Sequence, residues 1–193
     1  MAKNKKNRPV TMTKYEITNV RMRRFMAAVI DWYLTSMIVA LPITFYLRGD
    51  SYLKSEMFDL TKYSFPIGLS LGIFGIVIGI VYYVLVPSFV WKGQTLGKRI
   101  CKVKVTDIYG QDVSFKTIAI RELLGATIVE GGIVITAAYF RKLLPLFGLA
   151  NLVEPLTYIA YAMTILSIGY AYFQPLSTCF HDKIAKTIVV KNK

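Results

Sequence analysis

The chain is poor in the residues from which soluble enzyme sites are built. In 193 residues it has one histidine, His181, and two cysteines, Cys101 and Cys179. Two cysteines give no disulfide framework, and with a single histidine they make no metal-binding pattern. A nucleophile–base–orienter set is missing too. His181 and Asp182 are neighbours, and adjacent side chains rarely orient as base and orienter. Cys179 stands close by, with nothing in the sequence to mark it as activated. No enzymatic activity, cofactor or metal is expected. Acids are also scarce: 11 Asp and Glu face 24 Lys and Arg, for a formal charge of +13.

What fills the chain instead is apolar. Hydrophobic residues make up 54% of it, above the roughly 45–50% usual for soluble domains, and the mean hydropathy is +0.46. A basic balance can serve nucleic acid or an anionic membrane surface. Here the positive residues flank apolar segments, so the expected partner is a bilayer with an anionic inner leaflet, and no nucleic acid. A homo-oligomer or a membrane-protein partner is compatible with this.

The reading is an all-α membrane protein, a four-helix transmembrane bundle with a short cytoplasmic β-ribbon. A basic segment, 1–24, is expected to be disordered or to lie on the membrane surface. It precedes a transmembrane domain, 25–193. Spans are expected at about 25–47, 65–86, 118–140 and 152–173, with a loop at 88–117 and a tail at 177–193. No cleavage pattern follows the first span, which reads as a retained signal anchor. The second carries no charge, whereas the third holds Arg121, Glu122 and Glu130. With both termini inside, the cytoplasmic segments hold 18 Lys and Arg and the outer ones 5, which favours the N-in, C-in arrangement. Lys102–Thr106 alternates polar and apolar as a half-buried strand would, Ile184–Val190 is β-branched and strand-like, and the two are expected to pair. The turn residues Asp107–Asp112 follow the first.

Asp31 is the anomaly of the first span, because a carboxylate at membrane depth costs about 2.5–3.5 kcal/mol on insertion scales. Arg24 lies seven residues before it, on nearly the same helix face but roughly 10 Å away along the axis. Each therefore needs a partner on another element, and Arg121 is the expected partner of Asp31. Glu130 falls near the midplane with no evident partner, where desolvation favours the protonated acid. These charges are either structural locks or an ion-carrying set. Gly68, Gly72, Gly75 and Gly79 form one stripe on the second span, suited to close helix packing. Gly93-Gln94-Thr95-Leu96-Gly97-Lys98-Arg99 has the flavour of a phosphate loop but fails it. Only three residues separate the glycines, and no Ser or Thr follows the lysine.

Taken in order, Arg24-Phe25-x-Ala27-x-x-Ile30-Asp31, Gly93–Arg99, Lys104-Val105-x-Asp107, Arg121-Glu122-Leu123-Leu124 and His181-Asp182-Lys183-Ile184-Ala185-x-Thr187 resemble the RDD family. This is a family of small bacterial and archaeal membrane proteins named for an arginine and two aspartates. The resemblance spans about residues 20–190. It implies that Arg24 and Asp31 are the first two of those residues and that Asp182, or alternatively Asp107, is the third. It differs in a fourth span where three are often read. It implies transport of an unknown ligand, with sodium/proton exchange in some members. The alternative is a non-enzymatic subunit, scaffold or immunity-type factor. Arg24, Asp31, Arg121 and Asp182 would then form one cytoplasmic-side polar cluster.

Overall fold

The computed structural model describes residues 9–46 and 58–192. Residues 1–8, Leu47 at the end of the expected first span, and most of the 48–64 loop lie outside the described residues. The chain is mostly helical. Helix α1 is Lys14–Tyr46 and α2 is Phe65–Val90, followed by the short α3, Leu96–Ile100. Strand β1 is Val103–Asp107. Then come α4, Phe115–Glu130, and α5, Ile135–Leu143, α6, Val153–Phe173, and α7, Phe180–Ile184. Strand β2, Thr187–Lys191, closes the order. Three helices (α1, α2 and α6) are long and apolar enough to cross a membrane, and the pair α4–α5 makes a fourth if its two halves count as one span.

Helix α1 starts eleven residues before the expected span. Thr13 and Glu16 form a capping box: the Thr13 hydroxyl accepts from Glu16 N–H, and Glu16 Oε2 accepts from Thr13 N–H at 2.8 Å. A Thr-x-x-Glu signal thus sets the helix start, while the apolar count marks only where charge stops. The extra turns are not idle. Val20 and Ala27 pack on Val103, Val105 and Val189, so the beginning of α1 carries the strand pair.

That pair is the expected ribbon. β1 and β2 are antiparallel, with Val105 opposite Val189 and Asp107 opposite Thr187. Asp107 Oδ1 accepts from Tyr109 and Gln111 N–H and organises the turn, with Gly110 at φ 78°. The second strand begins later than expected because Ile184 closes α7 and Lys186 turns the chain at φ 53°.

Gly68, Gly72, Gly75 and Gly79 are all buried. A Cβ on Gly72 would fall 2.2 Å from Leu143, on Gly75 2.4 Å from Tyr139, and on Gly79 2.7 Å from Thr136. The stripe is the seat of α5 and its extension, which could not approach a larger surface this closely.

The expected continuous span at 118–140 is corrected. It breaks at residues 131–134, and the two halves meet at 54°. Gly131 adopts φ 63° and ends α4, its N–H donating to Ala126 O. Gly132 has no room for a Cβ, which would lie 2.5 Å from Thr164 Oγ1 on α6. Two adjacent glycines, one left-handed and one pressed on a neighbouring helix, end a helix that hydropathy alone would carry through.

Candidate functional site

The charged residues gather at the ribbon end of the bundle, where α1, α4 and α7 meet. Asp182 is fully buried. Its Oδ2 lies 2.5 Å from Arg24 Nη2 and its Oδ1 3.0 Å from Arg121 Nη2, while Cys179 N–H donates to Oδ2. Burial alone would raise the Asp182 pKa, but Arg24, His181 and Arg121 outweigh it and hold the carboxyl well below the usual range. Arg121 also pairs with Glu122 next to it, and Lys98 lies 3.9 Å from the same carboxylate. Burial lowers the Lys98 pKa, with Glu122 opposing.

Arg24 is held from a third direction. Its Nη1 donates to Ser177 O at 2.9 Å, and Ser177 Oγ accepts from Arg21 Nε at 3.0 Å. Ser177 stands at φ 53°, a conformation that costs a residue with a Cβ about 1–3 kcal/mol. The strained turn presents two acceptors to two arginines.

His181 links this cluster to Glu130. Its Nε2 lies 2.8 Å from Arg24 Nη2. A guanidinium only donates, so Nε2 accepts and the ring proton sits on Nδ1. Nδ1–H then donates to Glu130 Oε1 at 2.8 Å. The same Oε1 accepts from Ser167 Oγ at 2.6 Å and from His181 N–H at 3.1 Å. The expectation that Glu130 lacks a partner is thereby corrected: a tail residue distant in sequence and a serine on α6 supply three donors. No hydrogen bond from the described residues reaches Oε2.

The expected Asp31–Arg121 pair is corrected as well. Asp31 is 2% exposed and accepts from Tyr82 Oη at 2.5 Å and Gly97 N–H at 2.8 Å on Oδ1, and from Thr95 Oγ1 at 2.5 Å on Oδ2. All three donors are neutral. Thr95 and Gly97 belong to the loop that failed as a phosphate cradle. The anion it holds is a carboxylate of its own chain, brought close because a Cβ on Gly97 would lie 2.7 Å from Asp31 Oδ1. Tyr82, Thr95, Ser167 and Ser177 are the site residues the sequence reading passed over. Only the Gly93–Arg99 motif signalled any of them.

Asp31→Asn is expected to lower stability by about 1–3 kcal/mol, the cost of mismatching one buried hydrogen-bond partner. The new amide group would face the hydroxyl of Thr95. Thermal unfolding of the purified protein checks this, and an unchanged melting temperature would sink it.

Cys179, His181 and Asp182 bring donor atoms within 4.8 Å of one another, yet the set does not suit a metal. The Arg24 guanidinium already bridges His181 Nε2 and Asp182 Oδ2, and Arg121 takes the other carboxylate oxygen. Burial pushes the Cys179 thiol up, away from the thiolate a metal or a nucleophilic role requires. Asp107 lies apart in the ribbon turn.

The family model that matches this chain is that of the RDD family, over residues 19–186. Comparison with curated proteins and with solved structures found no match to either.

Proposed function

The chain belongs to the RDD family of membrane proteins, and from that premise we propose that it moves a small solute or ion across the cell membrane in a proton-linked way, with Glu130 and His181 as the proton-carrying pair. The observation that carries this reading is the unequal treatment of the buried acids. Asp182 and Glu122 face guanidinium groups, and Asp31 is saturated by neutral donors. Glu130 is 8% exposed, has His181 as its ion-pair partner among the described residues, and accepts no hydrogen bond from them on Oε2. A buried acid without a fixed counter-charge is what a proton relay requires. The Lys and Arg distribution, 18 against 5, supports placing the ribbon, both termini and the Asp182 cluster on the cytoplasmic side. No enzymatic role is part of this reading.

In proteoliposomes under an imposed pH gradient, Glu130→Gln is expected to reduce proton-linked flux at least about tenfold, since it removes the carboxyl group of the proton-carrying pair. Sodium and potassium salts are the first solutes to test. Flux equal to wild type in Glu130→Gln would overturn the assignment.

A second reading has its own support. The three-donor lock on Asp31 is what a structural charge looks like, and it favours a non-enzymatic membrane subunit whose buried charges hold the helices in register. Stoichiometric co-purification of another membrane protein, with no flux under any gradient, would favour it.

A further inference from the structure

Arg141 belongs to neither the Asp182 cluster nor the Glu130–His181 pair. It sits in the last turn of α5, on the far side of the helix break from the ribbon, and is only 9% exposed. Its Nη1 donates to Gly131 O at 2.8 Å, the carbonyl at the left-handed end of α4. Among the described residues no other group makes a hydrogen bond to Arg141, and none of their carboxylates lies within ion-pair distance of it. The phenol of Tyr161 is the titratable group near enough to bear on it. The neighbouring Lys142 is itself a cation and brings no counter-charge; its ammonium lies over the rings of Phe58 and Tyr139.

A guanidinium offers five N–H donors in a rigid fork. One backbone carbonyl, even at the negative end of a helix, leaves most of that fork unused. Elsewhere in this chain, the half-buried Arg24 and the buried Arg121 each face carboxylates. The break beside Arg141 is tightly packed: a Cβ on Gly131 would lie 3.0 Å from Thr127 O, 3.4 Å from Ala160 and 3.6 Å from Arg141 Nη1.

We propose that Arg141, anchored to the break between α4 and α5 by one N–H, binds an oxyanion, a carboxylate or phosphate group, with the rest of its fork, from the end opposite the ribbon. The group belongs either to a small solute or to a lipid headgroup. The site stands on Arg141 and not on the titration of Glu130, so it goes beyond the transport reading and can fail separately from it.

The test measures the melting temperature of the purified full chain in a zwitterionic detergent. It is titrated with sodium phosphate or sodium acetate against sodium chloride of equal ionic strength, and separately with phosphatidylglycerol in phosphatidylcholine bicelles. A ligand that binds only the folded state raises the melting temperature by mass action. A rise with the soluble anions identifies a free solute. A rise with phosphatidylglycerol alone identifies a lipid phosphate. In either case Arg141→Gln is expected to abolish the rise. Arg141→Lys keeps the charge but loses the fork, and is expected to weaken apparent affinity at least about tenfold, which holds the test open if the glutamine variant does not fold. Glu130→Gln is expected to retain the rise even where it loses flux. No rise with either class of anion, or a rise equal to wild type in Arg141→Lys, would overturn the proposal.

Discussion

Asp182→Asn should unfold at markedly lower temperature than the wild type, with a loss of about 3–5 kcal/mol, the range for breaking a buried ion pair by removing one partner. The reason is arithmetic of charge. Asp182 is the acid shared by Arg24 and Arg121, and the asparagine variant leaves the buried Arg121 and the half-buried Arg24 close together with only Glu122 paired to one of them. The amide also cannot accept on both atoms, so either Arg121, or Arg24 together with Cys179 N–H, loses its acceptor. The effect has a pH signature. The native carboxyl is held well below its ordinary value, chiefly by Arg24, His181 and Arg121 against the opposing effect of burial. A depressed native pKa contributes stability that is fully present above the unfolded value, near pH 4, and is lost as pH falls toward the native one. The melting temperature of the wild type should therefore decline below about pH 4, and that part of the decline should be missing in Asp182→Asn. Equal acid limbs in the two proteins would show that Asp182 is not the group responsible.

How much of this was legible in the sequence depends on whether a residue's partner is local. The ribbon was legible because strand character is a property of each strand by itself: Lys102–Thr106 alternates polar and apolar residues, and the run Thr187-Ile188-Val189-Val190 is β-branched throughout. The glycine stripe of α2 was legible for the same reason, although not that α5 would fill it. The start of α1 was written in Thr13 and Glu16, but an apolar count does not look for caps. The break in the third span was written in Gly131-Gly132. It was passed over because Ile128 and Val129 before it and Ile133, Val134 and Ile135 after it keep the hydropathy high.

The pairing of charges was the least legible part. Asp31 and Arg121 lie at similar apparent depth, which made them natural partners, yet the carboxylate is reached first by a loop that packs on α1 through Gly97. Once Thr95, Gly97 and Tyr82 have filled its lone pairs, a guanidinium has nothing to gain there. Arg121 is free to meet Asp182, 61 residues later in the chain. Glu130 looked solitary because its partner, His181, sits outside the spans and folds back against α4. Depth along a helix predicts which charges are level with one another. It does not say which are turned toward one another, and here the short helix α7 decides that.

The docking of α7 gives the last prediction. Gly125 faces it across the α4 surface, and a Cβ at that position would lie 2.6 Å from both Cα and Cβ of His181. One of those is a backbone atom, so no rotamer change relieves the overlap, and Gly125→Ala must push α7 and α4 apart. A shift of even a few tenths of an ångström acts on contacts with little slack: His181 Nδ1 to Glu130 Oε1 at 2.8 Å, His181 N–H to the same oxygen at 3.1 Å, and Phe180 N–H to Ser167 Oγ at 2.9 Å. The expected cost is about 1–3 kcal/mol, the usual range for overpacking. It should fall on the opening of residues 177–191 before it falls on the helices. Hydrogen exchange read peptide by peptide should then show protection in that segment reduced by about 5- to 150-fold, the equivalent of that energy, with α2 protected as before. Gly169→Ala is the matching control, because a Cβ there meets nothing within 4 Å, and it should leave exchange unchanged. If Gly125→Ala exchanges like the control, the close contact between α4 and α7 is not what holds the tail, and the linkage between Glu130 and His181 loses its structural basis.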